Sequence, residues 1–209
     1  MQYLKDEVKN RILGSALAEF KSMGYSDASM RKIAKDARVA LGNVYHYYTN
    51  KQELFNALVG SVYDRLITSI QEINRIGLKD ANEYQFMPKS DETGYYGINE
   101  LVSTLLGICK EHNIELLILL DKSKGCKSKY EDTKQDLIDM LDEVLRDKML
   151  RNLKDSQIEV RNPYIVYILS ASFIEGLCNI LRKYENGSEV KLLVDELITI
   201  FFKDIASRF

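Results

Sequence analysis

Residues 29–54, SMRKIAKDARVALGNVYHYYTNKQEL, constrain the fold more than any other stretch of this chain. Met30, Ile33, Ala34 and Ala37 share one helical face, and Ser29 stands where an N-cap belongs. After a tight turn, Leu41, Val44, Tyr45 and Tyr48 recur at i, i+3, i+4 and i+7, so the spacing predicts a second short helix with an apolar stripe. Upstream, Val8, Ile12, Ala16 and Phe20, with Leu13 and Leu17, predict a longer amphipathic helix. It stops at Gly24, a residue that accepts the left-handed C′ conformation. Three helices around one small core, the last facing outward, make a helix-turn-helix unit.

The outward side of the second short helix carries Asn43, His46 and Tyr47, with Gly42 near its start. Hydrogen-bonding, uncharged groups of this kind cover a solvated surface poorly but suit base edges and phosphates in a major groove. Asn43, His46 and Tyr47 are therefore the expected groove-facing residues, and Gly42 lets the backbone approach. Lys51, opening the next helix, is expected to meet phosphate with help from the helix dipole. Ser29 and Arg31 are further phosphate candidates, while Arg31, Lys32 and Lys35 make the preceding helix basic outside. Tyr45 can be read two ways, its ring in the apolar stripe and its hydroxyl within reach of a phosphate. Tyr48 is expected in the core. The chain is slightly acidic overall (net charge −2), yet residues 1–60 carry nine Lys/Arg against six Asp/Glu. A basic head on an acidic body fits a DNA-binding head with a ligand-binding or oligomerising body.

Residues 8–60 resemble the DNA-binding domain of the tetracycline-repressor (TetR) family of bacterial transcription regulators. The resemblance rests on Phe20, Gly24-Tyr25, Ser29-Met30, Ile33-Ala34, Ala37, Val39, Gly42, Tyr45, Tyr47-Tyr48, Lys51 and Leu54-Phe55, in register. Two positions depart from the family pattern. Arg38 stands where the turn usually has glycine, and a left-handed Arg38 would be strained by roughly 1–2 kcal/mol. Ala40 stands where a serine usually caps the recognition helix, a loss of about 1 kcal/mol.

Beyond this region, scarce proline and sustained helical spacing predict an all-α protein. An N-terminal three-helix helix-turn-helix DNA-binding domain (residues 1–50) would precede a C-terminal helical ligand-binding and dimerisation domain (51–209). A charged amphipathic start predicts no signal peptide. The most apolar run, Ile114–Leu120, contains Glu115 and ends at Asp121, so no membrane span is expected. Cys109, Cys126 and Cys178, without CxxC spacing, read as reduced cytosolic thiols, with a redox sensor as the alternative. His46 and His112 lack clustered Cys or carboxylate partners, so neither a metal nor another cofactor is expected. No nucleophile–base arrangement, glycine-rich phosphate loop or carboxylate–histidine helix motif argues for an enzyme.

A fourth helix opens at Thr49-Asn50, where Thr49 with Gln52 or Asn50 with Glu53 would form a capping box, and ends near Gly77. Residues 77–97 lose periodicity. Their aromatics (Tyr84, Phe86, Tyr95, Tyr96) either close a ligand cavity or pack locally on a solvated loop. Buried helices follow over 98–112 and 114–122, broken at Lys124-Gly125, then a helix carrying Leu137, Leu141, Val144, Leu145 and Leu150. Asn162-Pro163 starts a helix that ends at Asn186-Gly187, and Val190 to Ile205 continue as its antiparallel partner.

The resemblance implies that these last two helices form a dimer interface, and twofold repetition would double the contacts of a small reading head. Ser172, Gly176, Leu193, Leu197 and Phe201 are candidates for that interface or for intramolecular core. The resemblance also implies a small-molecule effector in the body, where Cys109, His112, Tyr164, Tyr167 and Glu175 are the candidates. A buried Glu175 would favour a cationic ligand, unless it is a satisfied structural carboxylate. The expected protein is a cytoplasmic homodimer reading a palindromic double-stranded DNA operator, most simply as a repressor released by the effector. The alternative is a helix-turn-helix protein that has lost operator reading and acts through protein partners or non-specific DNA binding.

Overall fold

The computed structural model describes residues 2–79, 96–153, 162 and 164–202, with side chains over 6–71, 102–146, 162 and 164–201. Every regular element among them is a helix: α1 (Gln2–Asp27), α2 (Met30–Asp36), α3 (Leu41–Tyr47), α4 (Lys51–Lys79), α5 (Tyr96–Glu111), α6 (Asn113–Asp121), α7 (Thr133–Leu153), α8 (Tyr164–Lys183) and α9 (Gly187–Phe202). The expected roles of the side chains of Tyr84, Phe86, Tyr95 and Tyr96, and those of Leu150, Pro163 and Ile205, lie outside the described residues.

The chain forms two compact units, Met1–Tyr63 with Asn113–Lys134, and Asp64–His112 with Gln135–Phe209. In the first, α1 packs on α2 and α6, and α2 packs on α3. Ile12, Ala16, Phe20, Ile33 and Val44 are fully buried, as are Leu54, Phe55, Val59 and Val62 of α4. Packing in this unit therefore extends past residue 50. Phe55 meets Phe20 and Tyr25 edge-on, with ring centroids 5.1 Å away in both cases. Tyr130, far along the chain, joins the cluster beside Phe55 and Tyr63. In α6, Leu116 to Leu120 are all buried, as a helix apolar on every side must be.

Gly24 does interrupt α1, but its φ of 73° and ψ of 171° are not those of a left-handed C′ residue. This extended, positive-φ region is open essentially to glycine alone. It turns the chain so that Tyr25 N donates to the Lys122 carbonyl at 2.8 Å, tying α1 to the end of α6.

In the second unit, α9 packs against α5 and α8. Ile108, Cys109, Val166, Leu177, Cys178, Val190 and Val194 supply its driest core. The Asn162 side chain caps α8 by accepting from Tyr164 N at 3.0 Å. Asn186 belongs to α9, which it caps by accepting from Ser188 N and Glu189 N. Gly187 is required at that point, since a Cβ there would collide with the Lys110 carbonyl. The three cysteines are free and buried.

One expectation needs correcting. Among the described residues α8, at 20 residues and mean hydropathy 1.6, is long and apolar enough to cross a membrane by length and composition. In this fold α8 buries Val166, Ser170, Phe173, Leu177 and Leu181 in the second unit, the pattern of a core helix.

Candidate nucleic-acid interface

The α2–turn–α3 segment builds the face. Ser29 caps α2 through its hydroxyl, which accepts from Lys32 N at 3.4 Å. Its own backbone N–H donates to Glu19 Oε1 at 3.1 Å. At the other end of α2, Arg38 N donates to Lys35 O and Val39 N to Ala34 O, both at 3.0 Å. This pair of bonds is a Schellman motif, and it puts Arg38 at the left-handed C′ position with φ 57°. The expected strain at Arg38 is present. Ala40 precedes α3 with extended backbone and no side-chain cap, also as expected.

Gly42, Asn43 and His46 are exposed on α3, and Tyr47 is half-buried with its ring edge-on to His46 at 5.7 Å. Val44 and Tyr48 anchor the opposite side. Tyr45 departs from the apolar stripe: it is 44% exposed, so its ring stands with the outward set. Seven residues make barely two turns, and the buried arc is narrow enough for Val44 and the following Tyr48 to fill it. The Tyr48 hydroxyl is buried and has no hydrogen-bond partner among the described residues. Burial first, then the neighbouring Glu53 carboxylate, raises its pKa.

At the start of α4, Asn50 Oδ1 accepts from Glu53 N at 2.8 Å. The Glu53 carboxylate reaches back to Thr49, accepting from its N–H at 2.7 Å and from its hydroxyl. Those bonds hold Glu53 below the usual carboxylate range. Asn50 therefore caps α4 as one of the two expected boxes requires, but the box is not closed: Glu53 bonds back to Thr49, one residue before the cap, rather than to the Asn50 N–H.

Lys51 lies where expected but points inward. Its ammonium donates to the carbonyls of Tyr25 (2.7 Å), Ser26 (3.0 Å) and Ala28 (3.2 Å) and lies 4.7 Å from the Tyr25 ring centroid. An ammonium has three protons, and all are engaged. Gly24 turns these carbonyls out of helical bonding, and Lys51 collects them. Arg31, Lys35 and Arg38 are exposed cations of the same segment. Lys32 is drawn to Asp36 at 2.6 Å and to the buried Glu19 at 3.6 Å, and its pKa is raised chiefly by the Asp36 hydrogen bond. Glu19 escaped the sequence reading, although its position on the Ile12–Ala16 stripe was a legible signal.

The candidates of the second unit stand in different environments. Cys109 is fully buried, and burial pushes its thiol up to about 12. His112 is half-buried. Tyr164, 59% exposed, stacks on Tyr167, whose hydroxyl accepts from Gln135 Nε2 at 3.2 Å. Glu175 is not buried: it is 45% exposed and pairs with Arg182 at 2.7 Å, so the satisfied structural carboxylate is what is observed.

The interface candidates divide in a similar way. Gly176 sits under Leu197, where an added Cβ would stand 3.3 Å from either methyl. Phe201 meets Phe173 at 5.6 Å, and Leu193 is half-buried. Ser172 is exposed. The outward apolar residues of the hairpin are Ile165 and Ile168 on α8, and Leu192 and Ile200 on α9.

Comparison with known proteins agrees with this geometry. Residues 12–58 match the pattern of bacterial regulatory proteins of the tetR family. The chain is 32% identical over 79 residues to the HTH-type transcriptional repressor KstR of Mycolicibacterium smegmatis, covering 38% of this chain and 37% of that one. Among curated relatives the match spans only 26% to 37% of their lengths. The fold is shared more widely. The ketosteroid transcriptional regulator KstR2 of Mycobacterium tuberculosis aligns with TM-score 0.62 at 18% identity, over 92% of this chain and 91% of that one. AibR, solved with isovaleryl coenzyme A and operator DNA, aligns with TM-score 0.52 at 16% identity, over 94% of this chain and 98% of that one.

Proposed function

We propose, for a chain that belongs to the TetR family of bacterial regulatory proteins, that it is a dimeric, cytoplasmic, sequence-specific DNA-binding regulator. Its simplest action is that of a repressor released from a palindromic operator by a small molecule. The observation that carries this reading is the face of α3. A helix anchored by Val44 and Tyr48 presents Asn43, Tyr45 and His46 outward, with Gly42 adding no side-chain bulk. Side chains that both donate and accept, on an exposed second helix of a helix-turn-helix, are suited to base edges.

Dimerisation is supported by the apolar side chains that α8 and α9 leave exposed, Ile165, Ile168, Leu192 and Ile200, with the small Ser172 among them. Gly176, Leu193, Leu197 and Phe201 then act behind that surface, packing the hairpin that presents it. An effector is supported by analogy with AibR, whose structure holds both an acyl coenzyme A and DNA. Tyr164 with Tyr167 is the best remaining aromatic element for it, while Cys109 and His112 contribute shape.

Selection of bound sequences from a random duplex pool at two salt concentrations tests the reading. Recovery of a palindrome with half-sites about one helical turn apart supports it. The uncapped start of α3 and the strained Arg38 favour the second reading, a head that binds DNA without a code. Salt-dependent binding that enriches no motif would select that one.

A further inference from the structure

A second concentration of cations lies outside the helix-turn-helix. Lys122, Lys124, Lys127 and Lys129 follow α6, with no acidic residue among 122–130. This segment belongs to the same compact unit as α2 and α3. It is fixed to the α1–α2 turn and to the first turn of α4 at several points. Tyr25 N donates to Lys122 O at 2.8 Å, Ser26 Oγ to Lys124 O at 2.8 Å, and Gln52 Nε2 to Ser128 Oγ at 3.2 Å.

The loop also holds its own shape. Gly125 (φ 87°) and Lys127 (φ 49°) both turn the chain into the left-handed region, flanking the buried Cys126. The Glu131 carboxylate accepts from Gly125 N at 2.9 Å and from Lys127 N at 3.0 Å, so it is directed at the loop backbone. A side chain at Gly125 would collide with Ser26 Oγ, so the close approach to the α1–α2 turn depends on this glycine. Lys124 and Lys127 are left exposed, and neither has an ion-pair partner among the described residues.

We propose that this loop is a second contact with the DNA phosphate backbone, made by Lys124 and Lys127 beside the segment that α3 reads. The inference rests on the DNA-binding reading above and adds a surface to it. From Ser26, which holds the loop, to Ser29, which caps α2, the chain spans at most about 10 Å. A DNA strand presents a phosphate charge roughly every 3.4 Å of helix axis. The loop therefore stands within a few phosphates of the start of α2. Exposed ammonium groups on a fixed loop, with no ion-pair partner among the described residues, suit a row of phosphates as point-charge donors. Nothing in the helix-turn-helix pattern calls for them.

The test is the salt dependence of binding to the random duplex pool, comparing wild type with K124Q/K127Q. Losing two phosphate contacts should lower the slope of log K against log salt by about 1.8 per bound protomer. K124R/K127R should keep the slope and controls for damage to the loop. The melting midpoint should be unchanged in both, since neither side chain has an ion-pair partner to lose among the described residues. Wild type that binds DNA with a slope the glutamine variant leaves intact overturns the loop contact alone. Wild type that binds no duplex at all overturns both this inference and the proposed function.

Discussion

Replacing Lys51 with methionine separates two roles that the same residue could play in a DNA-binding head. Met keeps most of the side-chain volume and removes the charge. In the structure the Lys51 ammonium donates to three carbonyls at 2.7, 3.0 and 3.2 Å and sits over the Tyr25 ring. Hydrogen bonds to a charged group contribute about 1.5–3 kcal/mol, and an exposed cation–π contact about 0.5–1 kcal/mol. The Ser26 bond is exposed and the others part-buried, so water can replace some of them, and a net loss of about 2–3 kcal/mol is expected. For a chain of this size that lowers the melting midpoint by roughly 4–12 °C. Thermal unfolding followed by circular dichroism measures it, and binding to the duplex pool at several salt concentrations supplies the second readout. If Lys51 braces the α1–α2 turn, the midpoint falls while the salt slope stays. An unchanged midpoint with a slope smaller by about 0.9 would refute the reasoning, because that is the signature of a lost phosphate contact.

Three other perturbations follow from the same geometry. R38G/A40S should stabilise the protein by about 1–2 kcal/mol, through relief of the left-handed arginine, offset in part by glycine entropy, and a restored cap on α3; equilibrium denaturation should give a higher midpoint at unchanged m. Ile200→Glu should break the dimer, because Ile200 is 74% exposed in the single chain; burying it on both copies of a symmetric interface would contribute about 3–6 kcal/mol, and sedimentation should show a shift to monomer. The Glu53 pKa is lowered by its bonds to Thr49, so its contribution to stability is present above the ordinary carboxylate pKa and lost as pH falls through the lower folded value. The stabilities of wild type and T49A should therefore converge in acid, and a difference that persists below that range would discount the Glu53–Thr49 contact.

The helix-turn-helix was legible because its information is local. Ser29, Arg38 and Ala40 sit at helix ends, where one residue decides the backbone, and the cap, left-handed turn and missing cap expected of them are present, whereas Gly24 breaks α1 in a different conformation from the one expected. Tyr45 was harder, because a seven-residue helix has too little stripe to say which of two adjacent apolar positions faces inward. Lys51 and Glu19 depended on distant partners. Glu19 falls in register with Ile12 and Ala16, a signal the sequence analysis did not use, and only the fold brings the Ser29 N–H to it. In the last hairpin, helical spacing identified apolar faces without dividing them between Gly176–Leu197 packing and the outward Ile168 and Ile200. Both sides of such a helix are apolar, so a hydrophobic stripe alone carries no address.

The composition of the first unit bears on how such a protein could be regulated. Its core is not complete at residue 63, because α6 and Tyr130 are part of it. The chain leaves this unit within α4, returns at Asn113 and leaves again after Lys134. α3 therefore rests on α2 and α2 on α1, while α1 rests on α6, a segment that is covalently continuous with the second unit on both sides. Coupling between two sites requires only about 1–3 kcal/mol of differential stability. The single bond from Tyr25 N to Lys122 O, with the α6 leucines beneath it, is of the size that a modest shift in α6 could forfeit. A change in α6 or its loop would then act on the proposed DNA-binding helices by altering what braces α1, with no contact to α3 itself.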